Sequence, residues 1–388
     1  MTSAPTEKAT SSTGSTAASK GLRDVIAGQS AICEVNGTEG RLIYRGYDIH
    51  DLAQHSTFEE VVYLLWHGDL PSRAQLRELE QQLQANRPLS QGVLDVMRRL
   101  PKRSTPMDVL RTMVSALQLW DVEENDDSLE ASHHKALRLT AQMPTLVATW
   151  HRLRSDEEVV PPRPGQSTAQ ALLYMLTGQE PDEVSARALD VALILHADHE
   201  LNASTFAARV TAATLADIHS AVTSAIGALI GPLHGGANEA VLRMLLEIGD
   251  ISRVEAYITD KLARHERIMG FGHAVYKTED PRATHLRKLS RQLAERRGDL
   301  TFWEMSRKIE EVMMREKGLY CNVDFYSAST YYALGIPIDL FTPVFAVSRI
   351  SGWTAHILEQ YADNRLIRPR AEYIGPRDRV YVPIDRRG

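Results

Sequence analysis

Two histidines set beside glycines frame the stretch around which this chain is organised. The stretch runs over residues 231–282 of 388. It opens as Gly231-Pro232-Leu233-His234-Gly235-Gly236 and closes as Met269-Gly270-Phe271-Gly272-His273, followed at a distance by Arg282. Neighbouring glycines predict tight turns in which little bulk shields either ring. A ring so placed can approach a substrate and donate or accept a proton near neutral pH. Between the two turns, Val241, Leu242, Leu245 and Leu246 recur at helical spacing, which predicts an amphipathic helix over residues 239–248. Arg282 offers a planar fork suited to a carboxylate. One segment thus holds two acid/base candidates and an anion anchor.

The rest of the chain reads as mainly α. A small hairpin is predicted near the start, from Ala31-Ile32-Cys33-Glu34-Val35, a turn at Asn36-Gly37, and Arg41-Leu42-Ile43-Tyr44-Arg45-Gly46. Helical signals follow. Thr57 with Glu60 forms a capping-box pattern. Pro71-Ser72-Arg73 opens a helix carrying Leu76, Leu79 and Leu83, and Pro106 opens another running through Leu117. Residues 121–135 are acidic and predict an exposed connection, followed by a long apolar helix over 136–150. A proline-bearing loop is expected at 155–167. Further helices are expected from Pro181 towards His199 and ahead of Gly231.

Composition narrows the class. The net charge of −6 argues against nucleic acid as the main partner. Two cysteines, Cys33 and Cys321, exclude a disulfide framework and fit a reducing compartment. No apolar run is long enough to span a bilayer. Residues 1–20 are rich in Ser, Thr and Ala and read as a disordered tail. They lack the arginines of a transit peptide and the apolar core of a secretory signal, so a cytoplasmic location is expected.

The two histidine segments, with Asn322-Val323-Asp324-Phe325-Tyr326-Ser327 further on, resemble the citrate synthase family. The resemblance runs from about Gly21 to the C-terminus, and its three blocks stand in the family's order. It implies a two-lobed helical fold: a large lobe from 21–234 and 340–388, and a small lobe from 235–339. It implies condensation of acetyl-CoA with oxaloacetate and hydrolysis to citrate and coenzyme A. The catalytic groups would be His234, His273 and Asp324. Substrate carboxylates would be held by His199, Arg282, Arg349 and Arg368, with Arg73 as a further contact candidate that also suits a helix cap. Residues Arg267, Ile268, Met269, Gly270 and Phe271 would lie against the coenzyme A nucleotide, with Lys277 near its phosphates. Asp198 and Glu200 would be structural. Arg368 would reach a partner subunit's site, which implies a homodimer; Arg370 beside it is the alternative. No tightly bound cofactor or metal is expected, acetyl-CoA being a co-substrate. No added regulatory domain is evident, so inhibition by NADH is not expected.

Each candidate also has a plainer reading. His234 suits an ordinary turn, Asp324 an Asx turn or helix cap, and Lys277 a solvated surface. Arg349 lies in the mostly apolar Val347-Ser348-Arg349-Ile350-Ser351-Gly352-Trp353, where an unpaired charge is costly, so it needs an internal carboxylate or an anionic substrate. The Gly270-Phe271-Gly272 run lacks the third glycine and the preceding strand of a dinucleotide fold, which leaves close backbone approach to a ligand. His196 and His199 could share a helix face as metal ligands, but no third ligand is evident nearby, so a metal-dependent hydrolase is the weaker alternative. The nearest rival is 2-methylcitrate synthase, which would use propionyl-CoA with the same groups; the Arg368-Pro369-Arg370 and Asn322-Val323-Asp324-Phe325-Tyr326 forms lean towards citrate. A helical scaffold without turnover would leave the glycine-histidine turns unexplained.

Overall fold

A computed structural model describes residue 21 and residues 25–123, 125–273 and 275–388. The expected tail at 1–20 lies outside the described residues. The chain divides into two units. Ser30–Ile367 carries the helices and the sheet. The other unit is Met1–Gln29 with Arg368–Gly388, whose C-terminal stretch has one short 3-10 turn, Ile384–Arg386.

The N-terminal β-structure is a three-stranded antiparallel meander: β1 Cys33–Asn36, β2 Arg41–Tyr44 and β3 Tyr47–Asp48. Asn36 pairs with Arg41, so four residues rather than two make the first turn. Asn36 Oδ1 accepts from the N–H groups of Thr38 (3.1 Å) and Glu39 (3.0 Å), which widens it. The third strand had no sequence signal, being two residues long.

Among the described residues, sixteen α-helices follow. They are α1 Ile49–His55, α2 Phe58–His67, α3 Arg73–Asn86, α4 Gln91–Arg99, α5 Pro106–Leu117, α6 Leu129–Arg154, α7 Thr168–Thr177 and α8 Glu183–His196. The second half holds α9 Ala203–Ala212, α10 Ile218–Ile230, α11 Ala237–Ile248, α12 Val254–Ala263, α13 Pro281–Arg297, α14 Thr301–Lys317, α15 Val323–Ala333 and α16 Phe341–Ala362. The fold is therefore mainly α, as the periodicity indicates. Thr57 and Glu60 form the reciprocal capping box at α2. Ser72 caps α3, so Arg73 is that helix's first residue and points its charge to solvent.

Three further expectations change. Helix α6 starts at Leu129, capped by Ser128, well before residue 136. The acidic stretch before it is not a free connection: Arg138 binds Asp121 and Glu123 at 2.7 Å each, and the Asp121 side chain is buried. On α11, Val241, Leu242 and Leu245 are buried as expected, but Leu246 is half exposed.

Helix α16 is the centre of the larger unit. Its residues from Phe341 to Leu358 are buried almost without interruption, so the helix is apolar or satisfied all round. It packs on α2, α6, α8, α9 and α10. Helices α11, α13, α14 and α15 pack on one another, and α12 on α14. We expect Thr57→Ala to lower stability by about 1 kcal/mol through loss of the α2 cap. Urea unfolding measures this, and an unchanged midpoint would show that the cap contributes nothing.

Candidate active site

His234 sits in a turn that the end of α10 forces. The N–H groups of His234 and Gly235 both donate to Gly231 O (2.9 and 3.1 Å) before α11 begins. Its Nε2 faces the first turn of α9, 2.7 Å from Ser204 Oγ and 3.3 Å from Ser204 N. A backbone N–H only donates, so Nε2 accepts and the ring proton lies on Nδ1. Burial, helped by Arg349, lowers the His234 pKa to about 4, so the ring is neutral at pH 7.

His273 shows the opposite tautomer. Its Nδ1 accepts from the N–H groups of Val275 (3.0 Å) and Tyr276 (3.1 Å), leaving the proton on Nε2. Burial and then Arg282 lower its pKa to about 4, against a smaller opposing pull from Asp280. The His199 ring meets it edge-on, with centroids 5.2 Å apart. His199 Nε2 is buried without a hydrogen-bond partner, and burial holds its pKa well below the ordinary value.

Backbone contacts bring this loop to α15. Phe271 bridges Cys321, Gly272 N donates to Tyr320 O (3.1 Å), and Asn322 N donates to Gly270 O (2.9 Å). Asn322 also caps α15 by accepting from Asp324 N (3.1 Å). Gly270 has φ +82°, and a Cβ there would lie 2.8 Å from the Phe325 ring. Its small size therefore serves internal packing rather than ligand approach, whereas Gly272 has open space around it. Asp324 is raised to about 6 by burial, which Asp280 reinforces while Arg282 and Arg349 pull the other way.

Two arginines complete the set. Arg282 is buried and forms a bidentate pair with Asp280, Nε to Oδ1 at 2.9 Å and Nη2 to Oδ2 at 2.8 Å. Arg349 is also buried; its Nε donates to His196 O (2.7 Å), and its guanidinium lies 4.6 Å over Phe345. Among the described residues no carboxylate stands within ion-pair distance of Arg349. Of the two partners its apolar setting demanded, the internal one is not there.

These side chains line one cavity of about 960 Å³: His234, His273, Asp324, His199, Arg282 and Arg349, with Arg267, Ile268, Met269, Gly270 and Phe271 along one wall. Lys277 is exposed and outside that lining, as is Arg73. Arg368 is exposed in the other unit. Lys317 and Leu319 line the cavity although no motif marks them. Ser204 is equally unmarked by any motif; it stands in the first turn of α9, which Asn202 caps.

The match to known proteins is extensive. The family model described as citrate synthase, C-terminal domain, covers residues 21–370. The chain belongs to the citrate synthase family. A relative from Bacillus subtilis (strain 168), citrate synthase 2, is 51% identical over 95% of this chain and 99% of its own. A 2-methylcitrate synthase from Shewanella oneidensis is 43% identical over 95% and 97%. The structure of a Thermoplasma acidophilum citrate synthase, a ternary complex with carboxymethyl coenzyme A and oxaloacetate, superposes with a TM-score of 0.89 at 34% identity, covering 95% and 98%. Membership of the citrate synthase family makes the chain an enzyme of the acyl-transferring type and gives the metal-hydrolase alternative no support. Geometry agrees, since among the described residues no third ligand joins His196 and His199. Among the described residues the three-ligand cluster is Glu279, Glu310 and Cys321, where Arg287 already binds both carboxylates.

The raised Asp324 makes a pH prediction. A base works only when ionised, so a raised pKa moves its loss of activity to higher pH than an ordinary aspartate would. We expect kcat/KM to fall with one proton uptake below about pH 6, since both histidines stay neutral through that window. An acid limb first appearing near pH 4 would remove Asp324 from that role.

Proposed function

We propose that this site condenses acetyl-CoA with oxaloacetate and hydrolyses the product to citrate and coenzyme A. The observation that carries the reading is the convergence of one raised carboxylate, two neutral histidines of opposite tautomer and two buried arginines on one cavity. Ionised Asp324 takes a proton from the thioester methyl group. His234 Nδ1–H donates to the thioester oxygen as it gains charge, which stabilises the enol. His273 Nε2–H polarises the ketone of oxaloacetate. The enol carbon then bonds the ketone carbon, and the proton from His273 passes to the new alkoxide. Water finally attacks the thioester carbonyl, and coenzyme A leaves as the thiol.

Arg282, Arg349 and His199 hold the dicarboxylate, and Arg349 thereby gains the anion its buried setting lacks. Arg368, or Arg370 beside it, reaches the site of a partner subunit, so the working unit is a homodimer. Residues 267–271 receive the coenzyme A nucleotide, with Lys277 as a phosphate contact and Lys317 as a further cation on the cavity wall. The small lobe spans 235–339, and its movement excludes water until hydrolysis. No tightly bound cofactor takes part, and the enzyme works in the cytoplasm without nucleic acid or membrane; no described helix is long and apolar enough to cross one.

The named 2-methylcitrate relative keeps a second acyl donor in view. One methylene in an apolar pocket is worth about 1–3 kcal/mol, so both thioesters belong in the assay. We expect thiol release from oxaloacetate with acetyl-CoA at a higher kcat/KM than with propionyl-CoA. The reverse preference would move the assignment to 2-methylcitrate synthase, and no release with either would sink the condensation. Asp324→Ala is expected to abolish proton exchange from the acetyl methyl group, measured by NMR in deuterium oxide; retained exchange would assign the base elsewhere. Arg349→Leu is expected to raise the oxaloacetate KM by roughly a hundredfold or more, as removal of a buried charge partner does. An unchanged KM would leave Arg349 a purely structural charge.

A further inference from the structure

Behind the cavity, α16 presents Arg349, Gly352 and His356 at spacings of three and four, hence on one face. All three meet the turn that follows α8. Arg349 Nε bonds His196 O at 2.7 Å. A Cβ on Gly352 would lie 2.4 Å from Ala197 O and 2.5 Å from Asp198 Oδ1, so only glycine lets the turn come this close. His356 Nε2 lies 3.1 Å from Asp198 Oδ2, with both residues fully buried.

Hydrogen-bond directions fix the His356 tautomer. Arg209 Nη1 stands 3.3 Å from His356 Nδ1, and a guanidinium only donates. Nδ1 therefore accepts, and Nε2–H points at Asp198. Arg209 is itself held by Glu359 (2.5 Å) and Gln360 (3.0 Å). The Tyr44 hydroxyl locks the Asp198 backbone, donating to its carbonyl (2.9 Å) and accepting from its N–H (3.2 Å). Asp198 Oδ1 has no close hydrogen-bond partner, and the Cys33 thiol beside this carboxylate adds a weaker support to its charge.

Asp198 thus stands one residue before His199. After burial, which opposes the charge of Arg349, it is the strongest electrostatic influence on that guanidinium and supports it. Yet the two are not paired. In a dry site such a carboxylate and guanidinium attract strongly, so something must hold them apart. We propose that His356 is a positioning residue: by engaging Asp198 Oδ2 it keeps this carboxylate off Arg349, which leaves the guanidinium free for a substrate carboxylate. The inference rests on the dicarboxylate reading of the site.

Calorimetric titration of the full-length protein with oxaloacetate, paired with steady-state kinetics, tests it. Wild-type binding checks the dicarboxylate reading first; its absence would sink that reading. Given wild-type binding, His356→Leu is expected to weaken oxaloacetate by roughly tenfold or more, which is the effect of about 1.4 kcal/mol. The loss should fall on the oxaloacetate KM rather than on the acetyl-CoA KM. His356→Gln, whose amide nitrogen reaches the place of Nε2, should restore most of the affinity. Adding Asp198→Asn to His356→Leu should also recover part of it, because a neutral amide does not compete for Arg349. Unchanged affinity in His356→Leu, equal losses in both KM values, or no recovery in either rescue would overturn the proposal. Should His356→Leu fail to fold, His356→Gln and His356→Asn take its place: near-native affinity for Gln with a tenfold loss for Asn supports it, and equal affinities overturn it.

Discussion

One buried carboxylate, Asp280, ties together the elements on which the site depends. It caps α13 by accepting from Arg282 N (3.0 Å), clamps the Arg282 guanidinium, and accepts from Val323 N (3.1 Å) at the start of α15. Burial alone would push its pKa up, but Arg282 holds it below the ordinary aspartate value. Removing one partner of such a pair leaves an uncompensated buried charge, at a cost of about 3–5 kcal/mol. Arg282 is therefore oriented, not merely present, and α15 is held at the height that brings Asp324 to the cavity.

Desolvation is the common electrostatic cause across the site. It lowers the histidines and raises Asp324, so the three groups are moved in opposite senses by one cause. Fixed cations act in the same direction on the rings and against it on the carboxyl. At pH 7 the buried rings therefore stay neutral, while Asp324 is ionised against the pull of burial because Arg282 and Arg349 oppose it.

Much of this was legible in the sequence where the signal is local. The Thr57 and Glu60 cap, the glycine turns around His234 and His273, and the apolar setting of Arg349 each follow from neighbours along the chain. What stayed hidden depends on distant partners. Ser204 meets His234 from thirty residues away, and His356 meets Asp198 across 158. Neither spacing leaves a periodic trace. The early start of α6 was hidden for a related reason: its acidic approach looks solvated until Arg138 is seen to neutralise Asp121 and Glu123. Lys317 lines the cavity and Lys277 does not, and residue type says nothing of that.

The widened first turn of the meander has a practical meaning for labelling. Its tip, Thr38 and Glu39, is polar and solvent-facing, which makes it an inviting place for a fluorophore or an affinity tag. Yet Gly37 O accepts from Lys277 N (2.9 Å), only four residues beyond His273. A probe attached at this tip is wired through one hydrogen bond to the loop that carries His273. It would serve better as a reporter of that loop than as a neutral handle.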